Sequence, residues 1–462
     1  MQFSHIKYVY FLGIGGIGMS ALARWFNVNG FQVAGYDKTP TILTNTLQAE
    51  GIRIHFDDDV NAIPSEFLAN PAQTLVVLTP AIPNDHQEWN FLIDNNFQIL
   101  KRSQVLGLLA ATMRTIAVAG THGKTTTSSM VAHILKASGK NVAAFLGGIT
   151  QNYQTNFLLN DPTDDLSSVL CVVEADEFDR SFLTLFPNVA VVTSTDADHL
   201  DIYGDHNHVL ESFQAFVGQI KSDGKLFMKK GLSLALHTQA QVQDFSFDSG
   251  DFHATNFRIE NARFVFDVVY PGGVVADIQL MMPGFHNVEN ALAAFACAWA
   301  VGTDNEQIRA ALNTYKGVKR RFEYHHQSPT KVLIDDYAHH PAEVEAFLRS
   351  VRALYPNKHI TAIFQPHLFT RTRDFQEGFA ASLGLADRLL LLDIYPAREK
   401  PIEGISSKIV FDRVPLSDKI LLSKSEVIQT LTNLPAEVVV TIGAGDVDGL
   451  LPALKEMLLI DS

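Results

Sequence analysis

Apolar runs separated by glycine-rich turns and amphipathic segments recur along the chain. The first example is 8-YVYFLGIGGIGMSALARWFNVNGFQVAGYDK-38, in which an apolar run, a glycine-rich turn, an amphipathic segment and a second apolar run follow one another. Short apolar runs of about four to eight residues indicate buried strands, and apolar residues spaced at 3 or 4 positions indicate a helix. The segment therefore predicts a βαβ unit, the element from which parallel sheets are built.

The same alternation recurs in the rest of the chain. After a further strand at 74–83, a strand at 115–120 opens a second unit, whose later strands at 168–176 and 189–196 end in acidic or hydroxyl residues. Between about 225 and 285 the pattern changes to short alternating segments, which predict antiparallel strands. A third unit has strands predicted at 331–338, 360–366, 389–395 and 437–446.

Strands that alternate with helices predict an α/β fold, and 462 residues are too many for a single core. We predict three α/β domains in series. These are a Rossmann-like N-terminal domain at 1–105, a central P-loop ATPase-like domain at 106–317 and a Rossmann-like C-terminal domain at 318–462. The central domain combines a mainly parallel sheet with a small antiparallel part. The apolar run 291–301 is shorter than the roughly 20 residues of a membrane span, so it predicts a buried helix.

Charge and cysteine content narrow the possible partners. The formal net charge of −14 argues against binding of nucleic acid, which requires a basic surface. The two cysteines, Cys171 and Cys297, lie in apolar runs, so we expect buried thiols in a reducing compartment. Because the first residues lack the features of a signal peptide, we expect a cytoplasmic protein without membrane association. The sequence leaves monomer and homodimer equally open.

The first glycine-rich turn has the spacing of a dinucleotide-binding fingerprint. Gly13, Gly15, Gly16 and Gly18 follow a predicted strand and open a predicted helix, and Asp37 lies about 20 residues further on. Glycines permit close approach of the backbone, and a helix N-terminus favours an anionic diphosphate. The turn predicts binding of a nucleotide diphosphate without specifying which nucleotide. The alternative is a turn that serves packing alone.

A second loop, 120-GTHGKTTT-127, resembles a phosphate-binding P-loop. Lys124 and Thr125 follow Gly123 directly, between a predicted strand and a predicted helix. It departs from the strict Walker A pattern because Val118 stands where that pattern has glycine. The local chemistry is retained, since Lys124 can reach the β- and γ-phosphate oxygens and Thr125 can bind Mg²⁺.

Acidic side chains follow the next two predicted strands. Glu174, Asp176 and Glu177 lie in 173-VEADEFDR-180, and His199 lies among the acids of 196-DADHLD-201. Mg²⁺ takes oxygen ligands, so these strand ends predict a site for Mg²⁺, for which Mn²⁺ could substitute. His199 is open to three interpretations: metal ligand, proton carrier or capping residue.

Ten sequence blocks in chain order resemble the Mur ligases over essentially the whole chain: 13–20, 120–127, 173–183, 196–204, 284–294, 317–323, 335–344, 364–375, 394–407 and 443–446. The resemblance is closest to the alanine-adding branch of bacterial cell-wall (peptidoglycan) synthesis. It implies that the first loop binds UDP-N-acetylmuramate and the second binds ATP. ATP would phosphorylate the lactyl carboxylate, and the amine of L-alanine would then displace phosphate to form an amide.

The resemblance also implies residue roles. Lys124 would contact the γ-phosphate, Thr125 and Glu174 would bind one Mg²⁺, and His199 would serve a second. Tyr337, His339 and Arg371 would surround the amino acid, with Arg371, Lys124, Glu174 and His199 as the catalytic set. Gly13, Gly15, Gly16, Gly18 and Asp37 would hold the UDP-sugar. The other ATP contacts would be Gly120, Thr121, His122, Gly123, Thr126, His286, Asn287, Asn290, Arg321 (or Arg320) and Asp336.

Two features bear on the branch, and other functions remain open. Many alanine-adding relatives carry arginine where this chain has Leu368, which shifts amino-acid recognition towards Arg371. The segment 202–220 lacks the lysine that several later-acting Mur ligases use, which favours the alanine-adding branch. The alternatives are a ligase that attaches a tripeptide to UDP-N-acetylmuramate or another Mur ligase, an NAD-dependent oxidoreductase, and a P-loop protein that uses ATP as a conformational switch.

Overall fold

The structure is a computed structural model that describes residues 3–196, 203, 205–397, 399–434 and 436–460. Three sheets of five, ten and six strands organise the chain, which confirms the predicted fold class of three α/β domains in series. The domain boundaries at 105/106 and 317/318 remain predictions. The chain forms two compact units: unit 1 comprises Met1–Ala254, Val268–Val275 and Asn290–Leu312, and unit 2 comprises Thr255–Asp267, Ala276–Glu289 and Asn313–Ser462.

The N-terminal sheet has the strand order β3-β2-β1-β4-β5, and its pairings are parallel. The order reverses between β1 and β4, and ligands of open α/β sheets bind at such a switch point, beyond the carboxyl ends of the strands. The first glycine-rich turn leaves β1 at this point. The strands are β1 Tyr8–Leu12, β2 Gln32–Tyr36, β3 Arg53–His55, β4 Thr74–Leu78 and β5 Gln98–Lys101; the helices are Ile17–Val28, Ile42–Ala49, Ser65–Leu68, Gln87–Asp94 and Arg102–Ala110.

The central sheet has the order β15-β14-β13-β12-β11-β10-β6-β9-β7-β8. The strands are β6 Arg114–Ala119, β7 Val142–Phe145, β8 Phe157–Leu158, β9 Leu170–Ala175, β10 Val189–Val192, β11 Lys225–Lys229, β12 Gln241–Ser246, β13 Phe252–Glu260, β14 Arg263–Tyr270 and β15 Gly273–Leu280. The helices of this region are Lys124–Ala137, His206–Gly218, Phe285–Ala300 and Asn305–Thr314. The second loop leaves β6, which lies between β9 and β10, so the carboxyl ends of all three strands face the same site.

The antiparallel part of this sheet begins later than the predicted residue 225. Strands β11 and β12 still pair in parallel with their neighbours, whereas β8 is antiparallel to β7. The hairpins lie at β13–β15, where only two residues join successive strands, and a parallel return would need a crossover of about a dozen residues. Asn261 and Ala262 both have left-handed φ angles, of 50° and 56°, as a type I′ hairpin turn requires.

The C-terminal sheet has the order β16-β17-β21-β18-β19-β20, with β16 antiparallel and the other pairings parallel. Its strands are β16 Glu323–Gln327, β17 Val332–Asp336, β18 Ile360–Phe364, β19 Arg388–Leu391, β20 Lys419–Leu421 and β21 Val438–Ile442. Its helices are Pro341–Leu354, Phe369–Asp374, Gln376–Leu383, Lys408–Phe411, Val427–Thr432 and Leu451–Ile460.

Hydrogen bonds of the buried Asn156 side chain hold the helix that follows the first loop in place within unit 1. Asn156, next to β8, is fully buried; its Oδ1 accepts a hydrogen bond from Arg24 Nη1 at 2.7 Å, and its Nδ2 donates to the Ile17 carbonyl at 2.6 Å. Leu22 of the same helix and Phe145 of β7 belong to one hydrophobic core cluster. A buried amide with satisfied partners favours a single arrangement, because each broken bond would leave a polar group desolvated. The first loop is therefore held against the central sheet.

Two further observations concern the core. The run predicted to be a buried helix, 291–301, falls mostly in helix Phe285–Ala300, whose residues 291–298 are almost fully buried. Both cysteines are buried and free, as expected. Among the helices that the structure describes, none has the length and apolarity needed to cross a membrane.

Candidate active site

The first loop is held in shape by the acid that follows β2. Asp37 accepts a hydrogen bond from the Gly15 backbone N–H at 2.7 Å through Oδ2, and one from the Thr39 N–H at 3.2 Å through Oδ1. A methyl group at position 15 would come within 2.8 Å of Asp37 Oδ2, so glycine allows this closure. The fingerprint acid thus shapes the loop, and its predicted contact with the sugar nucleotide remains a prediction.

The second loop is braced by residues that follow the neighbouring strand β10. The His122 N–H donates to Ser194 Oγ at 2.8 Å, and the Asp196 N–H donates to Thr121 Oγ1 at 3.1 Å. Gly123 has a left-handed φ of 82°, a conformation that favours glycine, immediately before helix Lys124–Ala137. The loop is therefore fixed before any phosphate binds, with the first turn of a helix pointing at the site.

Lys124 has 13% of its side chain exposed in this loop and pairs with an acid that follows β9. Its Nζ donates to the Gly120 carbonyl at 2.7 Å and to Glu177 Oε1 at 2.9 Å. Burial alone would lower the pKa of this lysine, but the negative charges of Glu177, Asp176 and Glu174 outweigh it, so the pKa is raised above its ordinary value. Lys124 is therefore a permanent positive charge. The sequence placed Glu177 at this edge of the sheet but did not reveal its pairing with Lys124.

The carboxylates at the end of β9 suit a magnesium ion. Glu174 accepts the Gly147 N–H at 3.1 Å, and its negative charge, with those of Asp176 and Glu177, acts on Lys124. Lys124 and Arg102 together leave these three carboxylates with one excess negative charge, and oxygen is the donor that Mg²⁺ prefers. Glu174 and Thr125 therefore remain the proposed ligands. His199, the predicted ligand of a second ion, lies outside the described residues.

A cavity of about 250 Å³ in unit 1 joins the first loop to the acidic edge of the central sheet. Gly18 from the first loop, Glu174 and Asp176 from the end of β9, and Arg102 all line it. The remaining lining residues are Ile17, Leu22, Leu106, Phe145, Leu146 and Gly147. The structure thus brings the first loop and Glu174, one of the two proposed magnesium ligands, to one space. No pattern in the sequence marks Arg102 as a site residue.

The segment predicted to contact adenine divides into two environments. Within unit 1, Asn290 Oδ1 accepts a hydrogen bond from Thr127 Oγ1 at 3.1 Å, on the P-loop helix, and lies beside Gly123. Within unit 2, Asn287 Nδ2 donates to the Pro283 carbonyl at 2.9 Å, at the start of helix Phe285–Ala300, where His286 also lies. Asn287 therefore supports the start of the helix, whereas Asn290 lies next to the phosphate loop. The adenine contacts remain predictions.

In unit 2 the predicted residues gather at the carboxyl end of β17. Asp336 accepts the N–H groups of Phe322 and Ala338, each at 2.8 Å, and Arg321 lies over the ring of Tyr337 with 5.2 Å from Cζ to the ring centroid. Of the two candidate arginines, Arg320 donates to the carbonyls of Gly443 and Gly445 at 2.6 and 2.9 Å. Because Arg320 braces its own domain, Arg321 is the better candidate for contacting phosphate.

His339 is a neutral histidine in this cluster. Burial, reinforced by the positive charges of Arg371 and Arg321, lowers its pKa to about 4, although Glu343 opposes the shift. Its Nδ1 lies 3.0 Å from the Tyr337 carbonyl. The predicted amino-acid residues are thus close together. Leu368, which stands where many alanine-adding relatives carry arginine, has a left-handed φ of 68° and immediately precedes helix Phe369–Asp374.

The ionisation of Asp336 gives a pH-dependent prediction. Burial raises its pKa to about 7, although Arg321 and two backbone N–H groups oppose the shift. The folded state therefore keeps a proton that the unfolded state releases near pH 4, so the stability from this proton is full below about pH 4 and is lost as pH rises through 7. The lowered pKa of His339 has the opposite effect on stability: it is largest at low pH and still adds about 0.4 kcal/mol between pH 6.5 and 8, in wild type and in Asp336→Asn alike.

We expect wild-type protein to lose about 0.8 kcal/mol of unfolding free energy from Asp336 between pH 6.5 and 8, and Asp336→Asn to remove that loss. Urea unfolding at the two pH values measures this loss. The change of unfolding free energy with pH should be compared between the two proteins, and not the free energy itself, because asparagine also loses one backbone hydrogen bond at every pH. Exposed Asp393→Asn is the control and should keep the wild-type slope. Identical slopes in Asp336→Asn and wild type would contradict the prediction.

Three family models cover most of the chain. The Mur ligase family catalytic domain matches residues 8–114, the Mur ligase middle domain matches 118–298, and the Mur ligase glutamate ligase domain matches 320–449. The chain is 49% identical over 458 residues to a UDP-N-acetylmuramate–L-alanine ligase of Flavobacterium psychrophilum, and the match covers 99% of both chains.

Solved structures agree with this similarity. The crystal structure of a UDP-N-acetylmuramate–alanine ligase from Thermotoga maritima superposes with a TM-score of 0.81 at 28% identity, covering 98% of this chain and 100% of the other. A murein peptide ligase from Psychrobacter arcticus superposes with a TM-score of 0.69 at 24% identity, covering 98% of each chain. At that identity the second match shows the shared fold alone.

Proposed function

Since the chain belongs to the Mur ligase family, we propose that it is an ATP-dependent ligase that joins the lactyl carboxylate of UDP-N-acetylmuramate to L-alanine in peptidoglycan synthesis. The observation that carries the proposal is the cavity of unit 1, which Gly18 and Glu174 line together. A sugar nucleotide anchored at the first loop would extend its carboxylate towards the phosphate-binding edge. The near full-length relatives bearing this activity support the choice of substrates.

The first chemical step must bring two anions together, the lactyl carboxylate and the γ-phosphate. A carboxylate oxygen attacks phosphorus, the bond between the β- and γ-phosphates breaks, and ADP leaves. Lys124, charged and held by Glu177, would neutralise charge on the transferring group at little cost in reorganisation. Glu174 and Thr125 would hold Mg²⁺, which when bound offsets the negative charge of the phosphates.

In the second step the amine nitrogen attacks the acyl carbon and phosphate leaves with the electron pair of the C–O bond. Phosphate is a far better leaving group than the oxide that an unactivated carboxylate would lose. The amine must first release the extra proton of its ammonium form to solvent, and its nitrogen releases a second proton to solvent as the amide forms. The neutral ring of His339 adds no positive charge against that ammonium group and can accept a hydrogen bond from it, while Arg371 would pair with the alanine carboxylate.

Phosphate release in the presence of UDP-N-acetylmuramate, ATP and one amino acid at a time tests the proposal. We expect turnover to require all three substrates and to be fastest with L-alanine. Glycine lacks one methyl group, which is worth about 1–3 kcal/mol in a fitted pocket, so it should react roughly 10-fold or more slowly. Preference for a tripeptide would indicate the recycling activity, and ATP hydrolysis without the sugar nucleotide would indicate a conformational switch. Either result would overturn the proposal.

A further inference from the structure

Among the described residues that line the cavity of unit 1, Arg102 is the one cation, and it faces two acids, Glu174 and Asp176. It begins helix Arg102–Ala110 directly after β5. One guanidinium nitrogen lies 3.6 Å from Asp176 Oδ2, which is beyond good hydrogen-bond distance, and its side chain is 26% exposed. Arg102 is therefore a partly desolvated cation, held loosely by one acid.

Arg102 lies beside the start of the first helix, Ile17–Val28. Its guanidinium lies directly against Gly18, the second residue of helix Ile17–Val28. The first N–H groups of a helix have no partners within the helix and favour an anionic group. An anion at this helix start would therefore also lie beside the guanidinium.

We propose that Arg102 binds the diphosphate of the sugar nucleotide and positions the substrate; this assignment rests on the proposed function. The planar fork of arginine can donate two parallel hydrogen bonds to phosphate oxygens, and such charge-assisted bonds are stronger than the 3.6 Å contact with Asp176. When the sugar nucleotide binds, the guanidinium gives up its weak contact with the Asp176 carboxylate and forms hydrogen bonds with the diphosphate. Arg102 thus supplies positive charge beside the first loop, as Lys124 does in the second loop.

The position of the Arg102 guanidinium also explains why residue 18 is glycine. A Cβ built at position 18 would overlap Nη1 of Arg102. Because the overlapping atom is the end of a flexible side chain, Gly18→Ala should displace the guanidinium without unfolding the helix. Glycine at this position therefore makes room for the arginine as well as for the close approach of a phosphate.

Calorimetric titration with UDP, without Mg²⁺, tests the assignment. We expect Arg102→Ala to weaken UDP binding about 10- to 100-fold and Arg102→Lys to weaken it less, because lysine keeps the charge but loses the fork. The control is Lys101→Ala, which removes an adjacent, 57% exposed cation paired with Asp179 and should bind UDP within about twofold of wild type. In steady state, the KM for UDP-N-acetylmuramate should rise in Arg102→Ala with a smaller change in kcat, and ATP affinity should be unchanged.

A double-mutant cycle separates contact from distortion. If Gly18→Ala acts by moving the arginine, its cost in UDP affinity should shrink at least severalfold in the Arg102→Ala background. Unchanged UDP affinity in both Arg102 variants would overturn the assignment, and so would weaker binding of UDP-N-acetylmuramate with unchanged binding of UDP, since UDP lacks the carboxylate. Wild-type protein that fails to bind UDP would instead overturn the proposed function, and this assignment with it.

Discussion

Replacing Lys124 with alanine is expected to lower ATP-dependent phosphate release by about 10³-fold or more, while UDP binding stays within about twofold of wild type. The lysine is the fixed positive charge of the second loop, with Nζ 2.9 Å from Glu177 Oε1. Its ammonium group would contact the γ-phosphate where charge develops during transfer. In the proposed function the sugar nucleotide binds at the first loop, so its affinity should not depend on the charge of Lys124. Phosphate release and UDP titration measure the two effects.

The pairing with Glu177 requires a control for folding. Glu177 is 1% exposed, and removal of one partner of a buried ion pair costs about 3–5 kcal/mol, because the other charge is left unpaired. The double variant Lys124→Ala/Glu177→Gln removes both charges and should recover most of the lost stability without recovering turnover. Lys136→Ala, an exposed change in the last turn of the same helix, should leave both properties unchanged. A stable double variant that no longer binds UDP would contradict separate sites.

Replacing Glu174 with glutamine is expected to lower turnover by at least about 100-fold at ordinary magnesium concentrations. The substitution keeps an oxygen that can accept the Gly147 N–H, now 3.1 Å from Oε2, but removes the charge that would hold the ion. Phosphate release should therefore be measured across a wide range of Mg²⁺ concentrations. We expect partial recovery when Mg²⁺ is raised at least about 10-fold, because weaker binding is then overcome by mass action.

A second carboxylate separates this effect from a general loss of negative charge. Asp179 follows the same strand but is 43% exposed and pairs with Lys101, so Asp179→Asn should keep the wild-type dependence on magnesium. If Glu174→Gln lowered turnover without any change in that dependence, a role in binding the metal would be excluded.

The fold and the two loops were predictable because they depend on local sequence. Apolar runs identify the strands, and glycines at 13–18 and 120–123 mark turns that leave strands β1 and β6. The position of β11 and β12 in the parallel part of the sheet was not predictable, because short alternating strands look alike whichever way they pair.

The side-chain partners within the site could not be derived from the sequence. Lys124 and Glu177 are 53 residues apart, and Arg102 and Asp176 are 74 apart, so only packing of the strands between them brings each pair together. Asp37 illustrates the opposite case, since its spacing from the glycines suggested a ligand contact and the structure adds a hydrogen bond to Gly15. Spacing identifies candidate residues, whereas their partners depend on tertiary structure. The roles carried over from the resemblance, including those of His286 and Tyr337, remain predictions.

The buried amide of Asn156 has a consequence for inhibitor chemistry. It holds the helix that follows the first loop against the sheet that carries the second loop, so the separation of the two proposed phosphate-binding loops is set when the protein folds. A single compound that carries a diphosphate mimic at one end and a γ-phosphate mimic at the other would meet a target of constant span. A compound with a rigid linker of matching length should therefore bind more tightly than one with a flexible linker, because the flexible linker loses more conformational entropy when both ends bind.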